Sequence, residues 1–208
     1  MGTAAKILIG LVALVVIVGL WAMSSYNGLV GLQQATNAQW AQVQNVYQRR
    51  ADLVPNLVST VAGAANFEKS TLTAVTDARA SVGRVQLPQG TAPTDPAQLA
   101  AFQQAQGALG SALSRLLVVS ENYPNLKATA NFRDLQAQLE GTENRISVER
   151  GRFNDAVMAY DTAIRRFPAV IIAGFAGYTA RPYFTAAAGS ETAPKVQFDF
   201  GNPAPAKP

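Results

Sequence analysis

The chain has 208 residues and a formal net charge of +4, and it contains neither cysteine nor histidine. Those two absences remove disulfides, thiol nucleophiles, Cys/His zinc sites and imidazole general bases together, so neither a metal nor a cofactor is expected. The basic residues are spread along the sequence rather than clustered with aromatics, which argues against a nucleic-acid partner.

A short flank, residues 1–6, precedes the run Ile7 to Met23, ILIGLVALVVIVGLWAM, which carries no charge and only two residues, both glycine, that are not apolar. A membrane span takes about 17 to 25 residues at ~1.5 Å rise each, so residues 7–23 are long enough to cross. Ala22 and Ser24 would suit a signal-peptide cleavage point. The run is longer than an ordinary signal core, however, and Trp21 and Tyr26 stand where interfacial aromatics mark a membrane exit, so an uncleaved anchor is favoured. Lys6 puts positive charge on the N-terminal side, which points to an N-terminus inside and a main domain outside the cytoplasm.

Beyond the anchor, no formal charge appears until Arg49. Leu29, Leu32, Trp40, Val43, Val46 and Tyr47 recur at helical spacing, with Gly28 and Gly31 as a weak point near the membrane. The rest of this helix is Gln, Asn and Ala. It is either a polar, uncharged exposed face or a self-association surface leaving the membrane, with Leu29, Leu32, Gln34, Trp40, Gln42 and Val43 as candidates. Arg49, Arg50 and Asp52 then arrive together, and Pro55 should kink or restart the helix. Phe67 to Val82 repeats helical spacing and is expected to extend this first arm.

Residues 83–96, GRVQLPQGTAPTDP, form a loop, and Asp95-Pro96 signals a helix start. A second helix runs through Leu99, Phe102, Leu109, Leu113, Leu116 and Leu117 to a stop at Tyr123-Pro124. Leu126 to Ala130 is a connector. Asn131, with Asp134 three residues on, caps a third helix whose stripe runs from Phe132 to Phe167. Two successive four-residue steps around Phe153 are a stutter that brings Glu149, or Arg150, to the edge of the core, and Arg50 is its expected partner. Arg49, Arg50, Asp52, Glu143, Arg145 and Glu149 are therefore read as a structural ion-pair network, not an active site. The segment 167–177 is too short to span a membrane. It packs on its own domain, or it touches the bilayer or a neighbour through Phe175, Tyr178, Tyr183 and Phe184. Lys195 to Phe200 alternates like a strand, and a Pro/Ala-rich tail follows.

These residues carry a resemblance. The apolar anchor, YNGLV (26–30), RRADLVPNLV (49–58), ENYPNLKA (121–128), QLEGTENRI (138–146) and FNDAVMAYDTAIRRFPAVIIAGFAGYTARPYF (153–184) together resemble the LemA family. The resemblance implies a single-pass bacterial membrane protein with no established enzymatic activity, whose relatives are associated with magnetosome formation and with neighbourhoods of membrane metalloproteases. The expected fold is all-α: a transmembrane helix, an elongated antiparallel bundle of long helices over 24–166, and an irregular aromatic-rich segment over 167–208. The expected function is a non-enzymatic membrane scaffold or adaptor forming homo-oligomers, or alternatively an accessory partner of a membrane protease.

Overall fold

The structure is a computed structural model and describes residues 2–64, 67–85, 87 and 90–186. Among them there are six helices and no strand: α1 (Thr3–Ala62), α2 (Lys69–Arg84), α3 (Pro96–Ser120), α4 (Pro124–Lys127), α5 (Ala130–Arg165) and α6 (Ala169–Ala176). The strand expected over Lys195 to Phe200 lies outside the described residues.

Helix α1 is 60 residues long, a rod of roughly 90 Å at 1.5 Å per residue. Its first third, Ile7 to Met23, has no buried residue and leaves its large apolar side chains exposed. This stretch is apolar all round and long enough to cross a membrane. Farther along, the same helix is buried on one stripe: Leu29, Thr36, Trp40, Val43, Tyr47, Arg50, Val54, Leu57 and Val61. From Thr36 onward those positions alternate steps of four and three, the spacing of a coiled-coil seam. Helix α5 meets that seam with Phe132, Leu139, Thr142, Ile146, Phe153, Val157, Tyr160 and Ile164. The two run antiparallel, with Arg50 opposite Glu143 and the Thr36 hydroxyl 3.3 Å from the Ala156 carbonyl.

The second layer is α2 and α3. At the far end, Leu53, Leu57 and Val61 pack with Val75 of α2, Leu109, Leu113 and Leu116 of α3, and Phe132 of α5. Nearer the anchor, Trp40 takes the centre, with ring centroids 5.6 Å from Phe102, 5.4 Å from Phe153 and 6.0 Å from Phe184. Four separate parts of the chain thus meet on one indole, each aromatic pair adding about 0.5–1.5 kcal/mol beyond its area.

Two expectations are corrected here. Phe67 to Val82 does not extend the first arm: after Gly63 the chain reverses, and α2 runs back along α1 so that the Arg79 guanidinium reaches the Ala51 carbonyl. Of the two outcomes expected at Pro55, a kink or a restart, the restart is not found, and α1 runs on through the proline. Proline at 55 has no N–H to give the carbonyl four residues earlier, which is Ala51. Arg79 Nε donates to that orphaned oxygen at 3.1 Å, so the folded-back helix supplies the bond the proline withholds. The helix starts also divide. Asp95 caps α3 as expected, its carboxylate accepting from the Ala97 N–H at 2.8 Å. For α5 the cap is Thr129 rather than Asn131, with the hydroxyl accepting from Phe132 N–H at 3.4 Å.

Replacing Arg79 by alanine should lower stability by about 0.5–1.5 kcal/mol in urea unfolding, and by clearly less in a Pro55→Ala background, where Ala51 recovers its helical donor. Equal losses in both backgrounds would show that Arg79 does not act through that carbonyl.

Candidate functional site: a buried arginine beside an open cleft

Position 50 falls on the inner seam of α1, three residues after Tyr47 and four before Val54, so the helix carries Arg50 inward whatever its polarity. Its side chain is 4% exposed and must be satisfied from within. Nη1 donates to the Glu143 carboxylate at 2.7 Å, and Nη2 donates to the Gln106 side-chain oxygen at 2.5 Å and to the Gln106 carbonyl at 2.9 Å. The guanidinium also stands 5.1 Å from the centre of the Tyr47 ring. Gly110 of α3 lies beside it, where an added Cβ would stand 3.7 Å from Arg50 Nη1, in ordinary van der Waals contact.

Glu143 is about half exposed because it stands at the mouth of a cleft of 980 Å³ lined also by Tyr47, Gln103, Gly107 and Arg150. Burial pushes the Tyr47 phenol above its ordinary value of 10.0, against the opposing pull of Arg150 and Arg50. The cleft holds two guanidiniums, one carboxylate and amides. Ser111 and Ser114 line it without a hydrogen-bonded base. No group of acidic residues there is placed to hold a metal.

The expected ion-pair network is redistributed. Arg50 pairs with Glu143, not with Glu149. Glu149 does border the core, but it accepts from Gln39 Nε2 at 2.6 Å and pairs with Arg152 at 2.9 Å. Asp52 accepts from Gln48 at 2.7 Å, while Arg49 and Arg145 are exposed and form no ion pair among the described residues. Of the self-association candidates, Leu29, Trp40 and Val43 are core residues and Leu32 is half-buried, so these four face α5 and its neighbours. Gln34 and Gln42 are exposed.

The C-terminal candidates separate in the same way. From Tyr178 to Ala186 the chain runs back along α5 as a strap. Tyr160 donates to the Thr179 carbonyl, Asp161 accepts the Arg181 N–H, and Asn154 makes a reciprocal pair of 2.9 Å bonds with the backbone of Phe184. Phe184 is buried against Trp40, and Arg150 stacks on its outer side. Tyr178 is half-buried between Tyr26 and Tyr160, Tyr183 is partly exposed, and Phe175 is 91% exposed. Sequence reading missed Arg181 altogether. It is buried, its guanidinium donates to the Ala92 carbonyl, and it thereby ties the strap to the loop before α3.

The LemA family profile matches residues 39–198. The chain belongs to the LemA family. Its relatives include the magnetosome protein MamQ of Magnetospirillum gryphiswaldense, 25% identical over 174 residues, and the magnetosome proteins MamQ 1 and MamQ 2 of Paramagnetospirillum magneticum, each 28% identical over 174 residues. Each alignment covers 76% of this chain and 64% of the relative, so the chain spans less than two thirds of their length. The LemA match begins one residue before Trp40 and takes in the aromatic cluster, the Arg50–Glu143 pair and the strap. The apolar third of α1 lies before it, and that helix makes this LemA-family chain a membrane-associated protein.

Two outcomes test the site. Arg50→Ala should destabilise the LemA domain by about 3–5 kcal/mol, because it opens a cavity and leaves Gln106 and Glu143 without their donor, whereas Glu143→Gln should cost about 1–2 kcal/mol since its position is wet. Urea unfolding of the two variants checks the order. Tyr47 contributes to the alkaline limit. Its raised folded pKa means that its contribution is complete below about pH 10 and is lost as the pH rises through the folded value. Stability should therefore fall more steeply above pH 10 in the parent than in Tyr47→Phe, and parallel pH profiles would contradict this.

Proposed function

We propose that the chain is a non-enzymatic, membrane-anchored scaffold that self-associates through the outer face of α1, with its domain on the side of the membrane away from Lys6. The observation that supports this reading is the composition of that face. Asn27, Gly28, Gly31, Gln34, Ala35, Ala38, Gln42 and Asn45 are exposed, and none is charged. A solvated helix face of this length ordinarily carries Lys, Glu and Arg, which keep it monomeric.

Other amides of α1 have internal work. Asn37 accepts the Ala92 N–H, Gln44 accepts the Gly90 N–H, and Gln39 donates to Glu149. Gln34, Gln42 and Asn45 have no such partner among the described residues. Nor does the monomer explain the glycines: a Cβ at Gly28 or Gly31 would meet open space, and each glycine costs a helix about 1 kcal/mol relative to alanine. A second helix approaching closely would use small residues there, while amides, which both donate and accept, would pair across the contact. Anchoring raises the effective concentration of neighbouring copies, so a modest surface is sufficient.

Gln34→Lys and Gln42→Lys place a charge on this face without touching the core. The expected result is a shift of the extracted particle toward the mass of a single chain in native mass spectrometry, with an unchanged thermal melt. Charged variants that retain the parent's mass distribution would remove the self-association reading.

A further inference from the structure

The apolar surface that remains once the core is assembled lies around α6. Phe167 is 78% exposed, Phe175 91%, Ile171 47% and Val170 42%, and from Phe167 to Tyr178 there is no charged residue. Gly177 ends the helix in the left-handed region at φ 74°, which lets the Tyr178 N–H reach back to the Ala173 carbonyl at 3.0 Å and turns the chain into the strap. The geometry of this end is therefore fixed by the fold. A fixed, exposed apolar patch marks a contact with something.

Its level along α1 says what. Helix α5 descends α1 toward the anchor, with Thr36 beside Ala156 and Leu29 packed among Tyr160, Ile164 and Ala173. At about 1.5 Å per residue in each helix, that register places Arg165, the last residue of α5, roughly level with Asn27, and Phe167 beyond it near Ser25, two residues past the apolar run. The two tyrosines confirm the level: Tyr178 lies with its ring 6.3 Å from Tyr26. Exposed arginines, Arg165 and Arg166, precede the patch.

We infer that α6 and Phe167 insert into the lipid interface beside the anchor, as a second membrane contact made by the folded domain. Phe167, Ile171 and Phe175 enter the boundary between headgroups and acyl chains, Tyr26 and Tyr178 sit at headgroup level, and Arg165 and Arg166 reach lipid phosphates. The occupant is the bilayer because the patch continues the apolar surface of Ile7–Met23 across the membrane exit. This holds whether or not the outer face of α1 self-associates.

The chain has no cysteine, so one introduced cysteine carries one label. A nitroxide on Phe175→Cys, and separately on Phe167→Cys, is measured in the full-length protein reconstituted in phosphatidylcholine/phosphatidylglycerol vesicles. Val118→Cys, 69% exposed near the end of α3 remote from the anchor, serves as the reference. Labels at 167 and 175 should collide several-fold more with oxygen than with a water-soluble nickel chelate, and the label at 118 should show the reverse. Water-like accessibility at 167 and 175, matching 118, would overturn the inference. So would dipolar broadening between copies with oxygen excluded, which would assign the patch to a second copy of the chain.

Discussion

After Met23 helix α1 ceases to be apolar all round, and its inner stripe packs on protein. Helix α5 is what it finds, and the contact is organised on Trp40, which receives Phe102, Phe153 and Phe184 from α3, α5 and the C-terminal strap. Everything else is arranged to let those parts arrive together. Asn154 clamps the backbone of Phe184, Arg181 ties the strap to the loop before α3, and Asn37 and Gln44 hold that loop against α1. One consequence concerns where the domain begins. The stretch after the membrane is not a linker: Leu29, Thr36, Trp40, Val43 and Tyr47 belong to the core, so the anchor and the domain share a single helix.

The polar parts of the structure follow from the same constraint. A seam with alternating steps of three and four has to admit whatever residue falls on it, and at position 50 that is arginine. The protein meets this with Gln106, Glu143 and Tyr47, and with a groove of small residues on α3 that leaves the carboxylate wet. A buried ion pair of this kind adds little net stability over an apolar packing, but it penalises any other register of α1 against α5, since a shift would strand the guanidinium. The cleft beside it is lined by the same residues that hold Arg50: Tyr47, Gln106 and Glu143.

Much of this was legible in the sequence, for reasons that differ by element. The anchor, the loop over 83–96, the Asp95 cap and the stripe of α5 follow from local chemistry and periodicity, which a single strand of text contains. The direction of α2 does not. Periodicity says that Phe67 to Val82 is helical but is silent on whether the chain turns at Gly63, and the Arg79–Ala51 bond that accompanies the turn is a tertiary contact. Pairing was similarly hidden: Arg50 and a carboxylate on α5 were both recognisable, but choosing Glu143 over Glu149 requires the register between two helices. In the last segment, aromatic content did not distinguish Phe184, which fills the core, from Phe175, which fills nothing.

Helix α1 carries the apolar run and the domain as one continuous rod through Gly28 and Gly31, so a bilayer around Ile7–Met23 would fix the orientation of the bundle. Amide hydrogen exchange of the full chain in lipid nanodiscs, followed residue by residue from Trp21 to Thr36, tests this directly. The account predicts slow exchange throughout, with no gap at the two glycines. Rapid exchange confined to residues 24–31 would contradict it, showing a flexible tether and a domain free to tumble above the membrane.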